Sequence, residues 1–469
     1  MAYQTINPYT NEVEKTYENH DDAYVESALT KAHALYKKWR NEPLAGRAKV
    51  LHQIAEVFTK KSDELATIIT HDMGKLYAEA QGEVALCALI AEYYATKGAD
   101  FLKDEPIETV MGEAHVEYHS VGVLMAVEPW NFPLYQMMRV FAPNYLVGNP
   151  LVYKHASNTP GSAVAFEQAV AEGGAEDGAC VNLFINYDQV NNVIADMRVQ
   201  GVALTGSERA GKEIASEAGR NLKKSSLELG GSDPFVILDD ADLSDVEKIV
   251  GKARLYNAGQ VCTSSKRFIV TEKNYDKFLE ILKKAFGAVK PGDPMDPETS
   301  LAPLSTVSAK KGLVAKAKEA VENGATLAFG EIDDNLDNNF FPPIILTDIK
   351  RDNPSYWKEF FGPVGVVYKV KDEQAAIDLA NDSNYGLGGI VFGGDPKHAA
   401  EVAGKIETGM VFVNNFGGTA PELPFGGIKN SGYGRELGRL GIETFVNAEL
   451  LMVNPNEHVD LTNTYGGFL

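Results

Sequence analysis

Three residues of this chain carry side chains suited to acyl chemistry, and each sits where the backbone is restricted. Cys262 lies in Gly259-Gln260-Val261-Cys262-Thr263, past a glycine that stops a helical pattern and before an apolar run, which puts its thiol on a loop between two rigid elements. Glu228 is followed by Leu229-Gly230-Gly231 and then by the run Pro234 to Leu238, so two glycines permit close backbone approach beside a carboxylate. A carboxyl in an apolar site has its pKa raised, because desolvation disfavours the charged form, and it then serves as a base near neutral pH. Asn131 stands in Pro129-Trp130-Asn131-Phe132-Pro133, where two prolines hold the backbone around an amide whose NH₂ could form half of an oxyanion hole. Taken singly, each has a plainer reading: Cys262 as an inert buried thiol, Glu228 as a solvated surface group, Asn131 as the cap of a turn. The segment Leu204-Thr205-Gly206-Ser207-Glu208-Arg209-Ala210-Gly211 is equally two-sided. It runs from a strand end into a helix start, where helix amides can meet a pyrophosphate but where ordinary caps also occur. No segment matches GxGxxG. The other thiols, Cys87 beside Leu86 and Leu89 and Cys180 leading into an apolar run, read as inert core groups.

Elements must position these groups. Apolar residues at three and four spacing predict helices over Asp22 to Trp39, Leu44 to Ile69 and Glu79 to Lys97. Short apolar runs then follow at His115 to Tyr118, Val121 to Val127, Leu151 to Tyr153, Val181 to Ile185 and Val202 to Leu204, with helical stretches at Thr159 to Glu172 and Ser207 to Ala218. That alternation predicts an α/β fold with a parallel sheet wrapped by helices. A second series follows: strands at Pro234 to Leu238, Phe268 to Thr271, Gly365 to Val370, Ile390 to Phe392 and Gly409 to Asn414, helices at Asp242 to Tyr256, Tyr275 to Phe286 and Gln374 to Asn381. Two doubly wound units account for both. Segments 291–303 and Glu331 to Asn339 read as surface connections, and Val446 to Val453 as an added strand.

Composition bounds the function. The 469 residues provide for two or three domains at roughly 150 residues each, and a formal charge of −21 repels phosphate backbones and anionic lipid, so neither nucleic acid nor membrane is expected as a partner. Three cysteines at wide spacing argue for a reducing compartment rather than a disulfide framework. No signal-like segment and no run of about 18 apolar residues appears, so the cytoplasm is the expected location.

Together, PWNFP at 129, TGSxxxG at 205, ELGG at 228, GQxC at 259, EFFGP at 359 and PFGGxKxSGxGRE at 424 resemble the aldehyde dehydrogenase superfamily, in its order and along essentially the whole chain. The resemblance implies a Rossmann-type cofactor domain (1–101 and 121–228), a second α/β catalytic domain (229–449) and a small β extension (102–120 with 450–469) that joins subunits into a homodimer or homotetramer. It implies a Cys262 thiolate that attacks the aldehyde carbon, and an oxyanion held by the Asn131 amide and the Cys262 N–H. Hydride loss to a nicotinamide coenzyme then leaves a thioester, which is hydrolysed by water that Glu228 activates. It further gives Trp130, Gly206 and Ser207 to the coenzyme site, Glu359 to the nicotinamide ribose, Phe361 to packing beside it, Lys154 to the adenosine ribose and Glu436 to a proton relay. No metal is implied.

Arg139, eight residues after Asn131, matches the arginine that succinate-semialdehyde dehydrogenases of the superfamily use for the distal carboxylate, and a guanidinium fork suits that group. A second arginine of that group is here Tyr256, which fits a shorter bacterial branch that this chain resembles in length and in Lys266-Arg267-Phe268; Thr419 could add a hydroxyl to the same carboxylate. Position 264 is Ser, so a disulfide between neighbouring cysteines cannot form there. Ser157, three residues after Lys154, stands where NAD-preferring relatives commonly carry a glutamate; a small neutral donor beside a lysine favours NADP, with some use of NAD. The expected reaction is oxidation of succinate semialdehyde to succinate. The alternatives are a broad dehydrogenase for short-chain or other ω-carboxylic aldehydes, a non-catalytic structural relative, and a cysteine hydrolase, for which none of the nine histidines lies within 60 residues of Cys262.

Overall fold

Local capping explains where the first elements begin. Asp21 accepts a hydrogen bond from the Tyr24 N–H at 2.8 Å and starts the helix Asp22–Trp39, which buries Val25, Leu29, Ala32 and Leu35 on one face. The computed structural model describes residues 2–109 and 112–453. The stretch expected as one helix from Leu44 to Ile69 is two, Ala45–Lys60 and Ser62–Met73, broken at Lys61 (φ −96°, ψ 18°). Phe58 and Leu65, seven residues apart, keep the apolar stripe in phase across that break, so periodicity alone runs the helices together. The helix expected over Glu79 to Lys97 is Tyr77–Phe101, the fourth of the chain.

The alternating region forms a six-stranded sheet in the spatial order Gly432–Tyr433, Lys224–Glu228, Val199–Thr205, Val123–Glu128, Leu151–His155, Cys180–Asn182. Only the two-residue strand Gly432–Tyr433 is antiparallel. From Val123–Glu128 the chain winds outward to Cys180–Asn182, then returns to lay Val199–Thr205 on the other side. The order reverses between Val123–Glu128 and Val199–Thr205, and ligands bind in the crevice at the carboxyl ends of strands at such a switch point. The PWNFP loop and the Thr205-Gly206-Ser207 turn leave these two strands at that edge.

A seven-stranded sheet follows, in the order Thr326–Phe329, Ile344–Thr347, Val364–Val370, Ser265–Thr271, Asp233–Ile237, Ile390–Phe392, Phe412–Val413, parallel except for its first strand. A three-stranded antiparallel sheet joins Val446–Val453, Glu113–Ser120 and Glu105–Ile107. Residues 454–469, which the expected subunit-joining tail includes, lie outside the described residues. Gly432–Tyr433 belongs by sequence to the 229–449 segment yet pairs with Leu227 and Glu228 of the first sheet. That pairing lays the carboxyl-terminal glycine motif against Glu228.

Two long helices were not among the expected elements, Val307–Glu322 and Pro133–Val147. Pro133–Val147 is a helix in which all 15 residues are buried, packed against Tyr77–Phe101. Buried on every side, it has no polar face and hence no amphipathic stripe to betray it. Its amino end is held from outside: a Glu83 oxygen accepts from the N–H groups of Leu134 and Tyr135 at 2.8 and 3.0 Å, and Glu83 is itself ion-paired with buried Lys75. Among the described residues no helix is long and apolar enough to cross a membrane.

Candidate active site

Cys262 sits where two cavities meet. The chain ends the helix Leu243–Leu255, turns through Tyr256–Gly259 and reaches Cys262 before the strand Ser265–Thr271. The turn is strained: Asn257 and Ala258 hold φ near +52° and +53°, and Gly259 holds +73°, where an added Cβ would lie 2.5 Å from the Gly362 carbonyl. The strain is sustained by bonds around it. The Asn257 side chain donates to the Asn131 carbonyl at 3.0 Å, its N–H is held by Glu79, and Gln260 donates to the Asn257 carbonyl at 3.1 Å.

Asn131 is buried by the same network. Gln136 donates to its oxygen at 2.9 Å, which fixes which end of the amide is the donor, and its NH₂ donates to the Gln260 carbonyl at 3.0 Å. One amide hydrogen is left uncommitted among the described residues. Lys266 ties the thiol loop to the opposite wall: its ammonium donates to the carbonyls of Val261 and Cys262 at 2.7 and 2.6 Å and pairs with Glu359 at 3.2 Å. Burial pushes the Cys262 thiol up to about 12, against the opposing pull of Lys266 and Arg139.

The first cavity, about 270 Å³, is lined by Trp130, Asn131, Thr205, Gly206, Ser207, Gly230, Cys262, Glu359 and Phe361. It opens over the amino end of the helix Glu208–Arg220, whose cap is Ser207. The Trp130 and Phe361 rings meet edge to face at 5.7 Å, and Glu359 accepts from the Gly231 N–H at 3.2 Å. A helix amino terminus, a glycine-lined wall and a carboxylate that can accept from a ribose suit a dinucleotide. Away from this cavity, buried Lys154 donates, among the described residues, only to the His155 carbonyl at 3.2 Å and lies near the Tyr3 and Tyr187 rings, at 5.4 and 5.5 Å. Burial without a carboxylate partner lowers it to about 8, the condition of a cation fitted to receive an anion. The strand end beside it is rigid, since buried His155 contacts the Pro133 carbonyl at 2.9 Å and accepts from the Ala156 N–H at 2.9 Å. Ser157 is half-buried, and its carbonyl accepts from Gln4 at 3.1 Å.

The second cavity, about 290 Å³, is lined by Phe132, Tyr135, Gln136, Arg139, Lys252, Tyr256, Cys262, Phe416, Thr419 and Phe425 among others. Arg139 is 1% exposed and its fork is engaged: Nε pairs with Glu436, while the two terminal nitrogens donate to Thr205 at 3.1 Å and Tyr135 at 3.3 Å. Its guanidinium also lies 4.3 Å from the centre of the Phe425 ring. Glu228, 2% exposed, has no hydrogen-bond partner for either oxygen among the described residues; burial, then Glu436, raises it well above the carboxylate range. Burial also raises Glu436, with Arg139 opposing. Gly426, at φ +146°, leaves no room for a side chain, since its Cβ would lie 2.6 Å from a Glu228 oxygen.

The expected residues thus fall into four places, one of them the pair Lys154 and Ser157, which lines neither cavity. Cys262, Asn131, Trp130, Gly206, Ser207, Glu359 and Phe361 line one cavity, Arg139 and Thr419 share the other with Cys262, and Glu228 and Glu436 lie behind it with Arg139. Sequence reading missed Gln136, Asn257, Glu83 and Glu128. Gln260 and Lys266 stood inside quoted motifs, but without a role. Glu128, at the end of the strand beside Thr205, is buried with both oxygens unpartnered among the described residues and faces Glu436, Arg139 and Glu228. Its place before Pro129 was the one available signal.

The aldehyde dehydrogenase family model matches residues 1–450. The chain belongs to the aldehyde dehydrogenase family. It is therefore an oxidoreductase with the fold of that family. Among its relatives, a succinate-semialdehyde dehydrogenase [NADP(+)] of Deinococcus radiodurans is 45% identical over 97% of this chain and 95% of its own. A probable enzyme of the same name from Synechocystis is 40% identical over 97% of this chain and its full length. The crystal structure of a Streptococcus pyogenes succinic semialdehyde dehydrogenase in complex with NADP+ is 57% identical, covers 97% of this chain and 100% of that one, and superposes with a TM-score of 0.95. A small-molecule aldehyde is the family's substrate.

Proposed function

We propose that this aldehyde dehydrogenase oxidises succinate semialdehyde to succinate with NADP as its preferred coenzyme. The observation that carries the reading is the meeting of two cavities at Cys262, one suited to a dinucleotide and the other walled by cations. The names of the relatives above support the substrate, and a buried Lys154 without a carboxylate beside neutral Ser157 supports NADP over NAD.

Cys262 gives up its thiol proton to water, its sulfur bonds to the aldehyde carbon, and the carbonyl π pair moves to the oxygen, making a thiohemiacetal oxyanion. The free Asn131 amide hydrogen and the Cys262 N–H hold that oxygen, and Gln136 and Gln260 keep the amide aimed. Bound coenzyme supplies the acceptor for the hydride that leaves this carbon. Glu359 and Phe361 hold the nicotinamide half, Gly206 and Ser207 at the helix start the pyrophosphate, and Lys154 with Ser157 the adenosine half, with Trp130 in the same coenzyme site. Glu228, once ionised, takes a proton from water, the water oxygen bonds to the thioester carbon, and the Cys262 sulfur departs as thiolate. Glu436 relays the proton onward. Arg139 and Thr419 take the far carboxylate of the substrate.

The division into a cofactor unit (1–101 and 121–228), a catalytic unit (229–449) and a β extension belongs to the same reading. So does a homodimer or homotetramer, supported by exposed Leu450, Leu451, Met452 and Val453 on the edge strand Val446–Val453. An intracellular, cytoplasmic setting fits the three free cysteines.

The test is coenzyme reduction with succinic semialdehyde, glutaric semialdehyde and butanal, each with NADP and NAD. The highest kcat/KM is expected for succinic semialdehyde with NADP. Butanal turned over equally well, or NAD preferred at equal concentration, refutes the reading.

A further inference from the structure

We infer that Lys252 is a specificity-determining residue of the substrate cavity, a cation without an ion pair that draws in the carboxylate end of the aldehyde; this deepens the substrate reading above and rests on it. Two cations line that cavity, Arg139 and Lys252. Arg139 is already paired with Glu436, so that pair adds no net charge. The lining carboxylate Glu83 is likewise neutralised, by Lys75. Lys252, in the last turn of Leu243–Leu255, is exposed and forms no ion pair among the described residues. Its ammonium instead lies 5.9 Å from the Tyr256 ring centre and 5.5 Å from that of Phe416, and both rings line the cavity. Glu79 on the helix Tyr77–Phe101 attracts Lys252 without pairing with it: both of its oxygens accept from the Asn257 N–H at 3.1 and 3.2 Å, and burial raises its carboxyl to about 7, so it carries only part of a charge near neutral pH.

An anionic aldehyde approaches a protein of formal charge −21 against repulsion, and an ammonium without an ion pair at the cavity offsets part of that repulsion locally. Contacts with ring faces at this range hold an exposed ammonium weakly, and a flexible four-carbon stem lets it reach toward a carboxylate. Because butanal has no carboxylate, the effect is confined to substrates that do.

The experiment is steady-state kinetics of wild type, Lys252→Met and Lys252→Arg with succinic semialdehyde and butanal at several NaCl concentrations. Lys252→Met is expected to lower the succinic semialdehyde to butanal ratio of kcat/KM by about fivefold, through KM, and Lys252→Arg to restore it. Added salt should raise the wild-type KM for succinic semialdehyde more steeply than that of Lys252→Met. A wild-type ratio and salt response in Lys252→Met overturns the assignment to Lys252 and leaves the substrate reading standing. A wild type that does not prefer succinic semialdehyde overturns both.

Discussion

Arg139→Met leaves Glu436 buried without its cation, beside Glu228 and Glu128, which face the same guanidinium. Breaking a buried pair by removing one partner costs about 3–5 kcal/mol, because the remaining charge is uncompensated. The hydrogen bonds that the charged guanidinium donates to Thr205 and Tyr135 add to that loss, at about 1.5–3 kcal/mol each. Glu436→Gln removes that charge but on its own leaves Arg139 buried and unpaired, so the double variant is expected to lose less than the sum of the two single variants, by at least about 2 kcal/mol. Urea unfolding of wild type, both single variants and the double variant measures it. Strictly additive losses refute the pairing. The double variant also isolates recognition from stability. Charge-assisted hydrogen bonds of about 1.5–3 kcal/mol correspond to roughly 10- to 150-fold in affinity, so its preference for succinic semialdehyde over butanal should fall by that order. A wild-type preference in the double variant removes Arg139 from carboxylate binding.

A thiol raised to about 12 by burial is protonated throughout the neutral range, so alkylation of Cys262 by iodoacetamide in the free protein should accelerate about tenfold per pH unit from pH 7 to 9; a plateau below pH 8 contradicts this. Glu228→Gln should keep a pre-steady-state burst of reduced coenzyme while slowing turnover by about 10²–10⁴, and loss of the burst would place Glu228 in an earlier step. Ser157→Glu sets a carboxylate against a 2′-phosphate; like charges about 5 Å apart at an effective dielectric of about 20 repel by about 3 kcal/mol, so the KM for NADP should rise at least about tenfold with little change in kcat, and an unmoved NADP to NAD ratio counts against the site.

Cys262, Glu228, Asn131 and the Thr205-Gly206-Ser207 turn were legible in the sequence because proline, glycine and the strand-to-helix change constrain the backbone locally, and local constraints are written in neighbouring residues. The helix Asp22–Trp39 and the strand Val446–Val453 were legible too, since their periodicity survives intact. Periodicity failed at Pro133–Val147, buried on all sides, and this helix carries Arg139. Only the tertiary structure decided what Arg139 faces. Its ion pair with Glu436 joins residues 297 positions apart through packing of the switch-point strands and the carboxyl-terminal glycine motif, and charge compensation between distant segments leaves no trace in either one. The same reason hides the pairing of Gly432 with Glu228 and the isolation of Lys154 and Lys252: whether a charge has a partner is a property of the space around it, not of its neighbours in the chain.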